Sequence, residues 1–224
     1  MIAPVRKLTK REIIWLGTHR CSHGHTYLEH YECYLKEQES PTEKIGFLDI
    51  ETTNLNANFG VILCWSIKPL NQEVVSDILS PKDFKSADEF YIDKRVVKSL
   101  IQEMMKYDRL VTHYGTRFDI PFIRSRALAC NVEFPPYGSI IHNDTYYMAR
   151  NRLKLNSNRL DVVAQALFGK SDKTHLSGNI WVAAGRGNKK ALEYILEHNK
   201  VDVIELEKVW LKLRKFVMPR DTSI

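Results

Sequence analysis

Apolar positions along the chain follow two rhythms. IGFLDIE (45–51), GVILCWSI (60–67) and EVVSDIL (73–79) are apolar or alternating over seven or eight residues, the length and pattern of strands. The short connections between them predict an antiparallel meander. The period then changes. Phe90, Val97, Leu100, Ile101 and Met104 predict a helix over 88–105. RLVTHY (109–114) predicts a fourth strand, PFIRSRALAC (121–130) a helix with Pro121 near its first turn, and GSIIH (138–142) a fifth strand. Helices near 145–152 and 160–168 follow, the second stopped by Gly169. A loop with Gly178, Gly185 and Gly187 then leads into a long helix, 189–216. A meander followed by alternating strand and helix is the pattern of an α/β fold with a mixed sheet.

Ahead of residue 45 the pattern is different. Thr9–Glu12 fits the S/T-x-x-E capping box before IIWL. A His-rich stretch, RCSHGHTYLEHYEC (20–33), comes next, and then a polar linker, KEQESPTEK (36–44). The expected organisation is an N-terminal extension over 1–40 and a main α/β domain over 45–218. Cys21, His23, His25, His30 and Cys33 place half of the four cysteines and three of the eight histidines within thirteen residues. Thiolates and neutral imidazoles are the ligands of structural Zn²⁺, and an appendage without its own core gains most from a metal. The spacing C-x-H…H-x₂-C lies outside the common finger patterns. Two readings stay open: a zinc-binding hairpin built from Cys21, one or both of His23 and His25, His30 and Cys33, or a His-rich surface hairpin whose thiols hold no metal.

Composition narrows the setting. With 44% hydrophobic and 27% charged residues in 224, the chain reads as a soluble globular protein. No apolar run approaches the ~20 residues of a membrane span, and MIAPVRKLTKREII lacks the apolar stretch of a secretory signal. Cys64 (VILCW) and Cys130 (RALACN) read as buried thiols in a reducing compartment, so a cytoplasmic, intracellular location is expected. The net charge of +6 is uneven: residues 145–190 hold nine Lys and Arg against two acids. Such a segment suits an anionic partner such as nucleic acid, although a solvated basic surface has the same composition. FGKS (168–171) ends like a P-loop. The first glycine of that motif would fall on Ala164, however, and Lys170 follows a predicted helix, so no nucleotide-triphosphate site is expected.

The candidate chemistry starts with two acids inside the first strand. Residues i and i+2 of a strand share a face, so Asp49 and Glu51 aim at one volume. Their mutual repulsion calls for a compensating cation. In HYGTRFDIPFIRSR (113–126), Asp119 lies at a strand-to-helix junction, where capping the helix is the local alternative. In EYILEHNKVDVIELEKVW (193–210), His198 and Asp202 are four apart and share a helix face. Asp144 is read as the cap of the helix over 145–152, with a fifth acid near the cluster as its alternative, and Asp161 as a helix N-terminal residue; both are kept out of the catalytic set.

Taken together, FLDIETTNL, YGTRFDIPF and HNKVDV, with LNSNRLDVVAQALFG between the last two, resemble the DEDD superfamily of 3′–5′ exonucleases over residues 45–216. The similarity is greatest to the ribonuclease H-like exonuclease domains related to family B DNA polymerases. The resemblance implies a five-stranded mixed sheet flanked by helices. It implies two Mg²⁺ or Mn²⁺ ions held by Asp49, Glu51, Asp119 and Asp202, with His198 as general base or water orienter. Two departures stand out. The position four before the last Asp is usually Tyr in this branch, whereas the His-bearing branch spaces its His five before. Tyr114 stands where relatives commonly carry Asn.

Arg152, Lys154 and Arg159, with Arg150, Lys170, Lys173, Arg186, Lys189 and Lys190, form a candidate substrate track; Tyr114 is a candidate contact and Tyr146, Tyr147 and Trp181 candidate stacking surfaces. The function expected is metal-dependent 3′–5′ hydrolysis of single-stranded DNA or RNA. The alternatives are an endonuclease or flap-trimming enzyme with the same metals, and a non-catalytic nucleic-acid-binding module.

Overall fold

In the computed structural model, residues 8, 10–21, 23–39, 43–85, 91–171, 177–216 and 222–224 are described. The chain divides into two units, Met1–Thr42 and Glu43–Ile224. Among the described residues no helix is long and apolar enough to cross a membrane.

In the first unit, helix α1 spans Lys10–Thr18 and α2 Tyr31–Glu39. Thr9 and the side chain of Glu12, the expected capping box, lie outside the described residues. Residues 36–39, read as linker, close α2 instead. Between the helices the chain doubles back through an antiparallel bridge, Arg20↔Thr26. Thr26 and Glu29 hold this turn reciprocally: Thr26 N donates to Glu29 Oε2 at 2.9 Å and Glu29 N donates to Thr26 Oγ1 at 3.2 Å. Cys21, His23, His30 and Cys33 come together, their ligand atoms all within 4.8 Å of one another. Of the two alternatives His23 and His25, the group contains His23. The His25 ring stands edge-on to His30 at 5.3 Å.

The second unit is a sheet between helices. The order β3-β2-β1-β4-β5-β6 is built from β1 (Ile45–Thr52), β2 (Ile62–Pro69), β3 (Val75–Ile78), β4 (Arg109–Thr112), β5 (Ile141–Asp144) and β6 (Thr222–Ser223). β1, β2 and β3 form the expected meander, and β4 and β5 extend it in parallel from β1. The five predicted strands are present. The two-residue β6, antiparallel to β5, adds an edge that too short a pattern left unread. β5 starts at Ile141, later than expected, because Ser139 N donates to Pro136 O in a turn.

The helices are α3 (Lys94–Met104), α4 (Asp119–Ala129), α5 (Thr145–Arg152), α6 (Leu160–Phe168), α7 (Gly178–Gly185) and α8 (Lys189–Leu213). α3 begins at Lys94; Phe90, the first residue of the expected periodicity, is outside the described residues. Gly169 ends α6 in the left-handed conformation, φ 77°. The expected glycine loop contains α7, because NIWVAA between its glycines packs Ile180, Trp181 and Ala184 on the core.

Alternation along β1 creates two cores. Leu48 and Ile50 face α3 and α4, joining Val97, Leu100, Ile123 and Ala127. Ile45 and Phe47 face α5, α6 and α8, joining Met148, Val163, Leu206, Trp210 and Leu213. The rings of Phe47 and Trp210 meet edge-on at 5.6 Å. Cys64 and Cys130 are buried as expected, and burial raises both thiols, that of Cys130 to about 11.

Candidate active site

The face of β1 that is apolar at Ile45 and Phe47 becomes acidic at Asp49 and Glu51. α8 changes character in step. Leu206, Val209, Trp210 and Leu213 are buried and apolar, whereas His198, Asn199 and Asp202, one to three turns earlier, are buried and polar. Helix and strand thus meet as an apolar zip at one end and a polar wall at the other. The ligand atoms of Glu51, His198 and Asp202 lie within 4.8 Å of one another. His198 Nε2 is 3.6 Å from Asp202 Oδ2, the contact that i,i+4 spacing permits. Asn199 Nδ2 donates to Asp49 Oδ2 at 2.6 Å. A register shift in the β1–β2 ladder between Glu51 and Thr52 ends the regular strand directly after the second acid, a common placement beside functional sites.

Asp119 arrives from the other side of β1. β1 and β4 pair from Ile45↔Arg109 to Phe47↔Val111 and then part. Asp119, the first residue of α4, takes up the backbone donor left there: its Oδ1 accepts from Ile50 N at 3.2 Å. The loop delivering it is tightly specified. A Cβ on Gly115 would lie 2.3 Å from Thr112 Oγ1, so only glycine fits there. Asp144 accepts from Tyr114 N, Thr116 N and Tyr146 N at 2.8, 2.9 and 3.0 Å. It caps α5, as read from the sequence, and also pins the loop that precedes Asp119. Asp161 lies in the first turn of α6.

Asp49 and Asp119 stand next to the Glu51–His198–Asp202 group rather than inside it, linked through Asn199 and the Ile50 backbone. Asn199 escaped the sequence reading. Its signal is helical: it follows His198 and lies three before Asp202, so it shares their side of α8.

Burial pushes the Asp119 carboxyl up to about 7, with the negative charge of Asp144 adding to the rise and the Ile50 hydrogen bond opposing it. An acid whose pKa is higher folded than unfolded costs stability as pH rises between those values. Without metal, Asp119→Asn is therefore expected to stabilise the fold at pH 8, by about 1–3 kcal/mol, and much less at pH 5. His142, buried and pushed down to about 4, has the opposite slope: its contribution is lost as pH falls below the ordinary imidazole value. The variant should thus show the acid-side loss that Asp119 offsets in the parent. Thermal melts in chelator at the two pH values read this, and an equal gain at both would refute it.

The family model of the RNase_H superfamily matches residues 46–214, a span holding both strand acids, Asp119 and the polar end of α8. The chain belongs to the RNase H superfamily. A DNA polymerase of Methanocaldococcus jannaschii is 28% identical over 128 residues, covering 48% of this chain and 8% of the polymerase. The solved family B DNA polymerase of the archaeon Pyrobaculum calidifontis superposes with a TM-score of 0.62 at 17% identity, covering 77% of this chain and 25% of that one. This chain therefore matches only a small part of each polymerase, and the structural likeness is one of fold.

Around this RNase H fold the basic residues are placed as follows. Arg150 and Arg152 are exposed on the last turn of α5, Lys154 and Arg159 are exposed on the segment after it, and Lys170, Arg186, Lys189 and Lys190 are exposed further on. Lys173 is outside the described residues. His113 ties that segment to the end of β4, its Nδ1 2.8 Å from Thr145 Oγ1 and its Nε2 2.9 Å from Asn158 O. Arg159 therefore starts beside the loop that carries Tyr114. Tyr114, at φ 68°, is exposed, and its ring meets those of Tyr146 and Tyr147 at 4.8 and 6.4 Å. Arg117, also missed from sequence, hydrogen-bonds to Tyr147, which raises its pKa. Trp181 is half-buried and packs against the core.

Proposed function

We propose that this RNase H-superfamily chain is a metal-dependent 3′–5′ exonuclease acting on single-stranded nucleic acid. The observation that carries the reading is the convergence of Glu51, His198 and Asp202 within 4.8 Å, with Asp49 two residues before Glu51 on the same face of β1 and Asp119 on the adjoining backbone. Carboxylate oxygens from a strand and two helices are a hard donor set, suited to Mg²⁺ or Mn²⁺. Asp49, Glu51, Asp119 and Asp202 would hold these ions, which when bound polarise the scissile phosphate and favour deprotonation of water.

The residues themselves supply position and proton transfer. Asn199 holds Asp49 by its Oδ2, and Ile50 N holds Asp119 by its Oδ1, so both carboxylates are oriented before substrate arrives. His198 Nε2 takes the proton from water whose oxygen bonds to phosphorus. The P–O3′ bond breaks, a nucleoside 5′-monophosphate leaves, and the shortened strand's 3′ oxygen is protonated. The Tyr114, Tyr146 and Tyr147 rings supply a stacking surface, and Arg152, Lys154 and Arg159 attract the backbone.

End-labelled single-stranded DNA and RNA with Mg²⁺ or Mn²⁺ test the reading. A 5′-label should yield a ladder shortening from the 3′ end, and a circular single strand should stay intact. A cut circle would make the enzyme an endonuclease, and binding without turnover would make it a non-catalytic module. Reversing the charge of Arg152 and Arg159 together is expected to weaken binding and to reduce the salt slope of log K by about 1–2. Unchanged affinity at low salt would remove this track.

A further inference from the structure

We infer that the N-terminal unit is a closed structural zinc site, with Cys21 Sγ, His23 Nδ1, His30 Nδ1 and Cys33 Sγ as its four ligands. The inference is independent of the nuclease reading. Cys21 Sγ lies 3.7 Å from Nδ1 of both His23 and His30. Cys33 Sγ lies 3.4 Å from His23 Nδ1 and 3.3 Å from His30 Nδ1. Tetrahedral zinc, with Zn–S of about 2.3 Å and Zn–N of about 2.0–2.1 Å, sets its sulfur and nitrogen ligands roughly 3.5–3.6 Å apart. All four sulfur–nitrogen edges cluster about that value.

Hydrogen bonding accounts for such a ring poorly. Each contact needs one proton between sulfur and nitrogen, and each Nδ1 either carries a proton or accepts one. Two thiols facing two imidazoles therefore satisfy about half of the four contacts at once. One central dication satisfies every edge, and two thiolates with two neutral imidazoles balance its charge. Nor is the pair of cysteines joined covalently, since neither is in a disulfide.

The backbone presents the ligands in two rigid pairs. Cys21 and His23 sit on a turn closed by Cys21 N donating to His25 O and Gly24 N donating to Cys21 O, both at 2.9 Å. His30 immediately precedes α2, and Cys33 is in its first turn, with Cys33 N donating to His30 O at 3.0 Å. This i,i+3 spacing puts both on one side. His25 sits on the same turn as His23, and its ring packs against His30 rather than entering the group. Trp15 stacks on the rings of His19 and Tyr27 at 4.1 and 5.5 Å, but the unit buries little apolar surface. Among its described residues the buried apolar side chains are Leu16 and Cys21, while Ile13, Ile14, Trp15, Leu28 and Leu35 are exposed. A segment this small depends on a staple. Four protein ligands leave no open position for a substrate, so the role is structural.

The test uses the full chain, purified reduced from zinc-supplemented cells. Elemental analysis should find about one zinc per chain, surviving exchange into magnesium buffer. Cys33→Ser and His30→Ala should each lower this to below about 0.2, whereas His25→Ala should keep it near one. Replacement by Co²⁺ should give the visible bands of a tetrahedral site together with thiolate charge-transfer absorption, and this holds even if a variant fails to fold. Absence of zinc together with absence of the cobalt spectrum would overturn the site. Loss of zinc in His25→Ala as complete as in His30→Ala would overturn the ligand set.

Discussion

Replacing Asp202 with asparagine is expected to slow phosphodiester hydrolysis at least about a thousandfold, roughly 4 kcal/mol of transition-state stabilisation. Asp202 is buried on α8, with Glu51 and His198 around it. The amide keeps the size of the carboxylate and removes the charge that a divalent ion requires. Asp49→Asn should cost a similar factor, and the double variant little more, because the acids act as a unit. Affinity for a single-stranded oligonucleotide, measured by anisotropy in Ca²⁺, should change only a few-fold. Asp161→Asn, in the first turn of α6 and outside the acidic group, is the matched control and should turn over like the parent. Wild-type turnover in the Asp49→Asn, Asp202→Asn protein would mean that the measured activity belongs to a contaminant.

Asp93→Ala should destabilise the protein by about 3–5 kcal/mol without touching the acidic wall. Asp93 and Arg126 form a bidentate ion pair with both side chains essentially inaccessible, Nη2–Oδ1 at 2.6 Å and Nε–Oδ2 at 2.9 Å. Asp93 Oδ2 also accepts from Ile62 N at 2.9 Å, so one carboxylate joins β2, the start of α3 and the last turn of α4. Truncating it leaves a guanidinium deprived of its counter-charge inside the apolar core and a strand amide deprived of its acceptor. For a unit of this size the loss corresponds to a fall in melting temperature of roughly 6–20 °C. Asp93→Ala with Arg126→Met should recover much of that loss, since removing both charges removes the uncompensated one. Urea melts of the four proteins give the coupling directly. A single variant within about 1 kcal/mol of the parent, or a double variant as unstable as the sum of the singles, would contradict the account.

That ion pair was invisible in the sequence. Asp93 falls inside the helix expected over 88–105 and Arg126 is one more polar position in IRSRALAC, and nothing in their spacing connects them. Asp49 with Glu51 and His198 with Asp202 were legible because each pair carries a local periodicity, two in a strand and four in a helix, whereas Asp119 carries none and was picked out by the resemblance of YGTRFDIPF. Asn199 was missed because a helical amide beside a histidine has no distinguishing pattern until a strand carboxylate is placed opposite it. α7 was missed because its flanking glycines outweighed a short apolar stretch whose burial depends on the core around it. In the N-terminal unit, composition identified the ligand types, but four of the five candidates converge and the fifth packs alongside.

What the sequence determined by itself is therefore whatever follows from spacing along one element: strands and helices and their order, which positions share a face, and the chemical character of each face. The tertiary structure alone decided which faces meet. It set the polar end of α8 against the acidic end of β1, parted β1 from β4 so that Asp119 could reach Ile50 N, and buried Asp93 with Arg126. The physical reason is that same-element neighbours are fixed by backbone geometry, whereas contacts between residues far apart in the chain depend on how all the apolar faces pack together.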